Sequence, residues 1–257
     1  MRNQILRCSH NIICMYIHNI SVIKPICFLT LLFFSACDNV VDTAPNTLSE
    51  NEKKEGWELL FDGRSLSNWH VYNQGNISSA WIVHGGVLYC DPDSESKKGD
   101  LVTDKEFENY ELSFDWQLEK AGNSGVFVNV QERSDIDATY HSGPEYQLLE
   151  DTHADYDKPL KRSGCLYTFF PQKNFVSTKT AGRWNHSRIV QKNGKAEFYL
   201  NGKMTAEVDF NSKAWENLAA KSAFKDYPEF GKHSKGRIAL QDWSRGVSFR
   251  NIKVRQL

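Results

Sequence analysis

The sequence predicts an all-β protein, a double-sheet β-sandwich of jelly-roll type with one short helical insertion. Three observations carry this. Tyr110-Glu-Leu-Ser-Phe-Asp-Trp-Gln-Leu118 alternates without a break, so that Tyr110, Leu112, Phe114, Trp116 and Leu118 share one face and Glu111, Ser113, Asp115 and Gln117 the other. Period two over nine residues marks a strand with one face buried. Comparable segments recur at short spacing to the C-terminus, giving roughly ten or more antiparallel strands, the pattern of a sandwich or jelly roll. Aromatic residues make up 12% of the chain, with 7 Trp, 10 Tyr and 15 Phe, a content that suits a β-sandwich with a sugar-facing surface and many other β proteins as well.

The elements follow in order from Gly56. Trp81–Cys90 is strand-like around the turn signal His84-Gly-Gly86, and Tyr110–Leu118 comes next. The turn Ala121-Gly-Asn123 precedes Gly125–Gln131, and Ser142-Gly-Pro144 precedes Glu145–Glu150. Gly164–Phe170, Trp184–Gln191, Ala196–Leu200 and Lys203–Phe210 continue the pattern. The last three are joined by Lys192-Asn-Gly-Lys195 and Asn201-Gly202, and Asn-Gly between apolar runs is the strongest short hairpin signal. Asn211–Ser222 has helix-forming residues with Ser212 at the N-cap position, and an aromatic loop, Phe224–Gly231, follows it. Arg237–Gln241 and Val247–Val254 close the chain. In the latter the apolar phase changes between Phe249 and Ile252, which predicts a bulge.

The N-terminal part has a different composition. Residues 1–36 contain Arg2, Arg7 and Lys24 and no acid, and the apolar run Ile26–Phe34 has the length of a signal-peptide core. Ser35-Ala36-Cys37 follows it and resembles a bacterial lipobox, in which the cysteine becomes the lipidated first residue. Residues 1–36 are therefore expected to be a lipoprotein-type signal peptide, with Met15 as an alternative start, and 37–55 a flexible tether. The body over 56–257 is expected in the cell envelope, periplasmic or on the outer surface, touching membrane only through lipid on Cys37. Cys90 and Cys165 remain in the mature chain, as a disulfide or as two buried thiols. With 31 basic and 32 acidic residues, the net charge of −1 argues against a nucleic-acid partner.

Several motifs stand in a distinctive order: Gly56-Trp-Glu-Leu-Leu-Phe-Asp-Gly63, Trp81-Ile-Val-His-Gly-Gly-Val-Leu88, Asn123-Ser-Gly-Val-Phe127, Gly143-Pro-Glu-Tyr-Gln147, Gly182-Arg-Trp-Asn185, Leu200-Asn-Gly202, Gly236-Arg-Ile-Ala-Leu-Gln241 and Phe249-Arg-Asn-Ile252. In order and spacing they resemble the 3-keto-disaccharide hydrolase domain family over residues 56–257. The resemblance implies a concanavalin-like jelly roll, secretion or lipid anchoring, and cleavage of 3-keto-glycosides by a hydrolase or lyase. Its substrate is an oxidised carbohydrate, supplied by a separate sugar C3 dehydrogenase. The chemistry has a simple logic. A C3 ketone acidifies the C2 proton; a base removes it, an enolate forms, and the aglycone leaves from C1. Such a site needs a base near C2, donors for the enolate oxygen and an acid for the leaving oxygen.

Glu145 matches the family's Gly-x-Glu motif and is the expected base, with Gln147 on the same strand face. Asp115 and His141 are the further acid–base candidates. Asn123 and Ser124, after a glycine turn, are expected donors to substrate. Trp184, Asn185 and Arg188 are expected at the groove, as are Lys225 and Tyr227 of the aromatic loop and Gln241, Asp242 and Trp243. Two departures stand out. Many relatives carry an Arg soon after Asn-Ser-Gly, where this chain offers Asn129 or Gln131. Where relatives show Leu-Gln-Asp-His-Gly, this chain has Leu-Gln-Asp-Trp-Ser, and Trp243 would stack on a sugar ring instead. The chemistry needs no nicotinamide once the substrate is oxidised, and a divalent metal is the cofactor left open, since His141, Glu145, Asp151 and His153 are of the type that holds one. A carbohydrate-binding surface protein without catalysis is the alternative, since fold alone does not fix function.

Overall fold

The computed structural model describes residues 44–243 and 245–257; the expected signal peptide and Cys37 lie outside them. Strands β1 (Glu58–Leu59), β2 (Trp69–Val71), β3 (Trp81–His84), β4 (Val87–Cys90), β5 (Leu101–Thr103), β6 (Tyr110–Leu118), β7 (Asn123–Val130) and β8 (Glu145–Leu149) form the first part. β9 (Asn185–Lys192), β10 (Lys195–Leu200), β11 (Lys203–Asp209), β12 (Arg237–Leu240) and β13 (Val247–Gln256) form the second. All named pairs are antiparallel. One sheet has the order β11-β10-β9-β6-β13-β4-β3 with β1 on β13, and the other the order β2-β5-β12-β7-β8. This is the two-sheet jelly-roll sandwich the alternation predicts.

Local chemistry explains the turns. Asn193 and Gly194 both have positive φ, as do Asn201 and Gly202, the conformation a two-residue hairpin requires. The β13 bulge is real: its register against β6 shifts between Arg250 and Lys253, with Asn251 at φ 54°. The helical insertion is α2 (Lys213–Ala219), capped by the Ser212 side chain, which accepts from the Trp215 N–H at 3.1 Å.

Two expectations are corrected. Gly164–Phe170 is not a strand. It runs beside β8 through isolated bridges and then turns back at Thr168, whose φ is 64°. The N–H of Tyr167 still reaches the carbonyl of Glu145 at 2.9 Å. The described end of the expected tether is also not free. Ser49 starts a short helix, α1 (Glu50–Lys54), through a capping box. Asn46 and Asn251 exchange hydrogen bonds between backbone N–H and side-chain oxygen at 2.6 and 2.8 Å, and Glu52 and Glu55 pair with Lys253 and Arg255. These contacts hold residues 46–55 against β13.

The core lies between the sheets. The inward face of β6 is buried along its length, and Tyr146 of β8 faces it from the other sheet. The Tyr146 ring stacks on Phe198 at 5.6 Å and meets Phe114 edge-on. Its hydroxyl donates to the Tyr199 carbonyl at 3.0 Å and lies 3.0 Å from the Ser187 hydroxyl, which in turn accepts from the Trp116 indole N–H at 2.9 Å. A second tie joins Asn129 of β7 to Gln191 of β9, two buried amides exchanging bonds of 2.9 Å. Buried polar groups persist only when paired, so both ties fix how one sheet sits on the other. Cys90 and Cys165 are separate buried thiols. Replacing Tyr146 by Phe keeps the packing but strands the Tyr199 carbonyl; urea denaturation should show a loss of about 1–3 kcal/mol.

Candidate active site

Because Tyr146 points into the core, its neighbours Glu145 and Gln147 point to the opposite face of the five-stranded sheet. Register places Glu145 beside Phe127, then Ala239, Val102 and His70 across that outer face. Gln147 is opposite Gly125, and the Gly125 carbonyl accepts from the Gln241 N–H at 2.9 Å. A cavity of about 390 Å³ opens here. Its floor is Asn123, Glu145 and Gln147; Tyr140, Lys161, Tyr167, Phe224 and Trp243 stand around it. Its walls come from four connections: a 3-10 turn at Thr139–His141, the long run between β8 and β9, the loop after α2, and the turn between β12 and β13.

Gly125 has a steric reason. A Cβ at this position would overlap the Glu145 carboxylate, so the missing side chain gives that group its place across the strand. Burial, with the negative charge of Asp100 behind it, pushes the Glu145 carboxyl up to about 8. Asp100 is itself raised to about 6 by burial, against the hydrogen bonds it accepts from the Thr139 hydroxyl and, at 2.8 Å, from the Asp242 N–H. Those two bonds tie the turn bearing Tyr140 and the turn bearing Trp243 to one carboxyl.

The amides are oriented by their partners. Gln147 Nε2 donates to Asn123 Oδ1 at 2.7 Å and to the Ser124 and Leu148 carbonyls at 2.8 and 3.1 Å. Asn123 Oδ1 is thus occupied, and its Nδ2 is the group left to donate into the cavity. Gln241 Oε1 and Thr168 Oγ1 are buried without a hydrogen-bond partner, and both residues line the cavity. Lys161 is held at the wall by Asp155 at 3.1 Å. Trp243 is 54% exposed at the same cavity.

Of the residues singled out in the sequence, the fold gathers Asn123, Glu145, Gln147, Gln241 and Trp243. Others lie elsewhere. Asp115 is on the outer face of the eight-stranded sheet, where it bonds His186 and Asn251 at 2.8 Å. Burial alone would raise its carboxyl, but these bonds outweigh it and hold it below the usual range. The Trp184 ring lies under Arg250 at 4.2 Å, and Arg188 pairs with Glu111 at 2.9 Å, both away from the cavity. Asn185 is buried and accepts from the Lys179 N–H. Ser124 faces inward and donates to the Gln241 carbonyl. Asp242 accepts from the Gly99 N–H at 2.8 Å and from the Cys90 thiol at 3.3 Å, bracing the turn.

His141 stacks on Tyr227 at 3.9 Å, lining a small separate pocket, and burial lowers its pKa. Lys225 lines a neighbouring groove. His141, Glu145, Asp151 and His153 do not converge: among the described residues no group of three or more His, Cys, Asp or Glu has metal-holding geometry. Asn129 and Gln131 are spent on structure, in the amide tie and on the Asn129 and Lys235 carbonyls. Lys161, Tyr140 and Asp100 enter from segments without periodicity and Tyr167 from Gly164–Phe170, the segment that reads as a strand; only Tyr140, next to His141, stands near a candidate site residue of the sequence.

Residues 56–255 match the family described as the 3-keto-alpha-glucoside-1,2-lyase-like domain. A 3-keto-disaccharide hydrolase of Bacteroides thetaiotaomicron is 28% identical over 230 residues, 79% of each chain. A Parabacteroides distasonis ATCC 8503 protein, named provisionally as a glycosyl hydrolase, superposes with a TM-score of 0.75 at 30% identity, covering 83% of this chain and all of that one. A second from the same organism, named in the same way, gives 0.60 at 27% identity, with 78% and 99% coverage. These likenesses support a role of glycoside hydrolase or lyase type. The chain belongs to the 3-keto-alpha-glucoside-1,2-lyase-like domain family.

Proposed function

We propose that the protein cleaves 3-keto-glycosides by elimination, with Glu145 as the base that takes the C2 proton. The observation that carries this is the Glu145 carboxyl at the floor of a cavity, beside the amides of Asn123 and Gln147, where burial raises its pKa. A base that removes a weakly acidic C–H needs a conjugate acid near neutrality, and burial supplies it.

The sugar would lie over Gly125 with C2 toward Glu145. The carboxylate takes the C2 proton, and the C2–H electron pair moves into the C2–C3 bond while the ketone oxygen becomes an enolate. Asn123 Nδ2 and the Lys161 ammonium are the donors on the cavity wall suited to that oxygen. The enolate collapses back to the ketone, a C1–C2 double bond forms, the C1–O bond breaks, and the aglycone oxygen takes a proton. The phenols of Tyr140 and Tyr167 line the cavity and suit that last transfer. Addition of water across C1–C2 would complete a net hydrolysis. The exposed Trp243 also suits a binding module that stacks on sugar, and turnover separates the two readings.

Glu145→Gln should lower kcat on a chromogenic 3-keto-glucoside by 10²-fold or more, on the order of a lost general base, while retaining binding; unchanged turnover would remove Glu145 from the role. In the wild type, kcat/KM should rise with pH through a midpoint near 8 and level off above it, since the base must be ionised. The same group links stability to pH in the opposite sense. Its folded pKa of about 8 lies above the ordinary 4.5, so its contribution is fully present below 4.5 and is lost as pH rises through 8. Thermal melts of Glu145→Gln should therefore gain on wild type between pH 5 and pH 9. Gly125→Ala should displace the carboxylate and cut kcat at least tenfold, as misplacement of about 1 Å does, with near-native circular dichroism.

A further inference from the structure

The residue opposite Glu145 on the adjoining segment is Tyr167. Leu166 bridges Tyr146 in antiparallel register, and both side chains are buried in the core. The next pair, Glu145 and Tyr167, therefore stands outward together. The Tyr167 N–H donates to the Glu145 carbonyl at 2.9 Å, and both residues line the cavity. We propose that Tyr167 is the catalytic acid that protonates the leaving oxygen, with Lys161 as the counter-charge to the phenolate it becomes; the proposal rests on the elimination reading above.

The reacting atoms require such a pair. C1 and C2 are bonded to each other, so the group that takes the C2 hydrogen and the group that protonates the oxygen on C1 must stand side by side. Directly opposed residues of an antiparallel pair have Cβ atoms roughly 5 Å apart. The Lys161 ammonium lies 5.9 Å from the centre of the Tyr167 ring, and Asp155 holds it there at 3.1 Å. As the enolate collapses, negative charge leaves the ketone oxygen and develops on the phenol oxygen, beside the same cation. Tyr140, the other phenol at the cavity, is placed differently. It is 41% exposed and lies edge-on to His141 and Tyr227. Partial burial and the neighbouring Tyr227 raise its pKa, so it holds its proton more firmly. The protons balance. The phenol O–H bond breaks, its proton goes to the aglycone oxygen, and the C1–O electron pair stays on that oxygen. Addition of water restores both groups: the phenolate takes a water proton as hydroxide bonds to C1, and the Glu145 carboxyl returns its proton to C2.

The test separates C–H cleavage from C–O cleavage. NMR in D2O follows methyl 3-keto-glucoside through both methanol release and replacement of the C2 hydrogen by deuterium. Tyr167→Phe should release methanol about 10²-fold or more slowly than wild type, the scale of a lost general acid, and still exchange the C2 hydrogen well above the enzyme-free rate. Methanol release within about threefold of wild type overturns the proposal, as does loss of exchange together with release. The wild type supplies a measurement that needs no variant to fold. Methanol requires protonation as it leaves and 4-nitrophenolate does not, so kcat/KM for the methyl substrate should fall at high pH while that for the 4-nitrophenyl substrate stays level; parallel profiles overturn the assignment. The elimination reading fails in its own way, through a wild type that cleaves neither substrate, which takes the proposal with it, or through a Glu145→Gln variant that still exchanges the C2 hydrogen, which leaves the Tyr167 comparisons to decide the acid.

Discussion

The hydroxyl of Tyr146 is the constraint on which the site depends. It reaches across the core to the Tyr199 carbonyl and the Ser187 hydroxyl, and with it β8 can neither slide nor rotate. A strand's side chains alternate, so a one-residue slip would turn Glu145 into the core and Tyr146 into the cavity. Fixing one phenol in the interior therefore fixes a carboxyl and an amide outside. The backbone bond from Tyr167 to Glu145 extends the same control to the wall beside the carboxyl.

The cavity is held in shape by hydrogen bonds that are spent before any ligand arrives. Gln147 is consumed by Asn123 and two carbonyls, which sets the direction of the Asn123 amide. Asp100 binds two separate turns at once and adds negative charge behind Glu145. Dipoles oriented in advance are the arrangement that favours charge developing during a reaction. The outer face of the eight-stranded sheet is different in kind: there Asp115, Glu111, Arg188, Arg250 and Arg255 satisfy one another in ion pairs.

The fold was legible because two signals dominate it. Period-two alternation marked β6 through β13, and both Asn-Gly pairs fell on hairpin turns. Strand alternation also put Glu145 and Gln147 on a common polar face. What it could not give was which sheet a polar face belongs to, and so Asp115, Trp184 and Arg188 share the outward character of Glu145 while lying on the other side of the molecule. Lys161 and Asp100 were invisible for another reason. They stand in connections whose course is set by tertiary hydrogen bonds, such as that from the Thr168 N–H to the Leu160 carbonyl, and no local pattern records such a course. Gly164–Phe170 misled because its apolar residues bury as a strand's would, while the left-handed Thr168 turns the chain back.

The space left by Gly125 binds two positions into one evolutionary unit. As long as residue 145 carries a long carboxylate across the strand, every side chain larger than hydrogen at 125 collides with it. Shortening residue 145 would release that restriction, and a methyl group then fixed at 125 would bar the return of glutamate. The order of substitutions would matter more than their number. A lineage that lost the carboxyl first would drift past a point from which one step could not restore it. Sequences that keep glutamate at 145 should accordingly keep glycine at 125, and those that have abandoned the first should vary freely at the second.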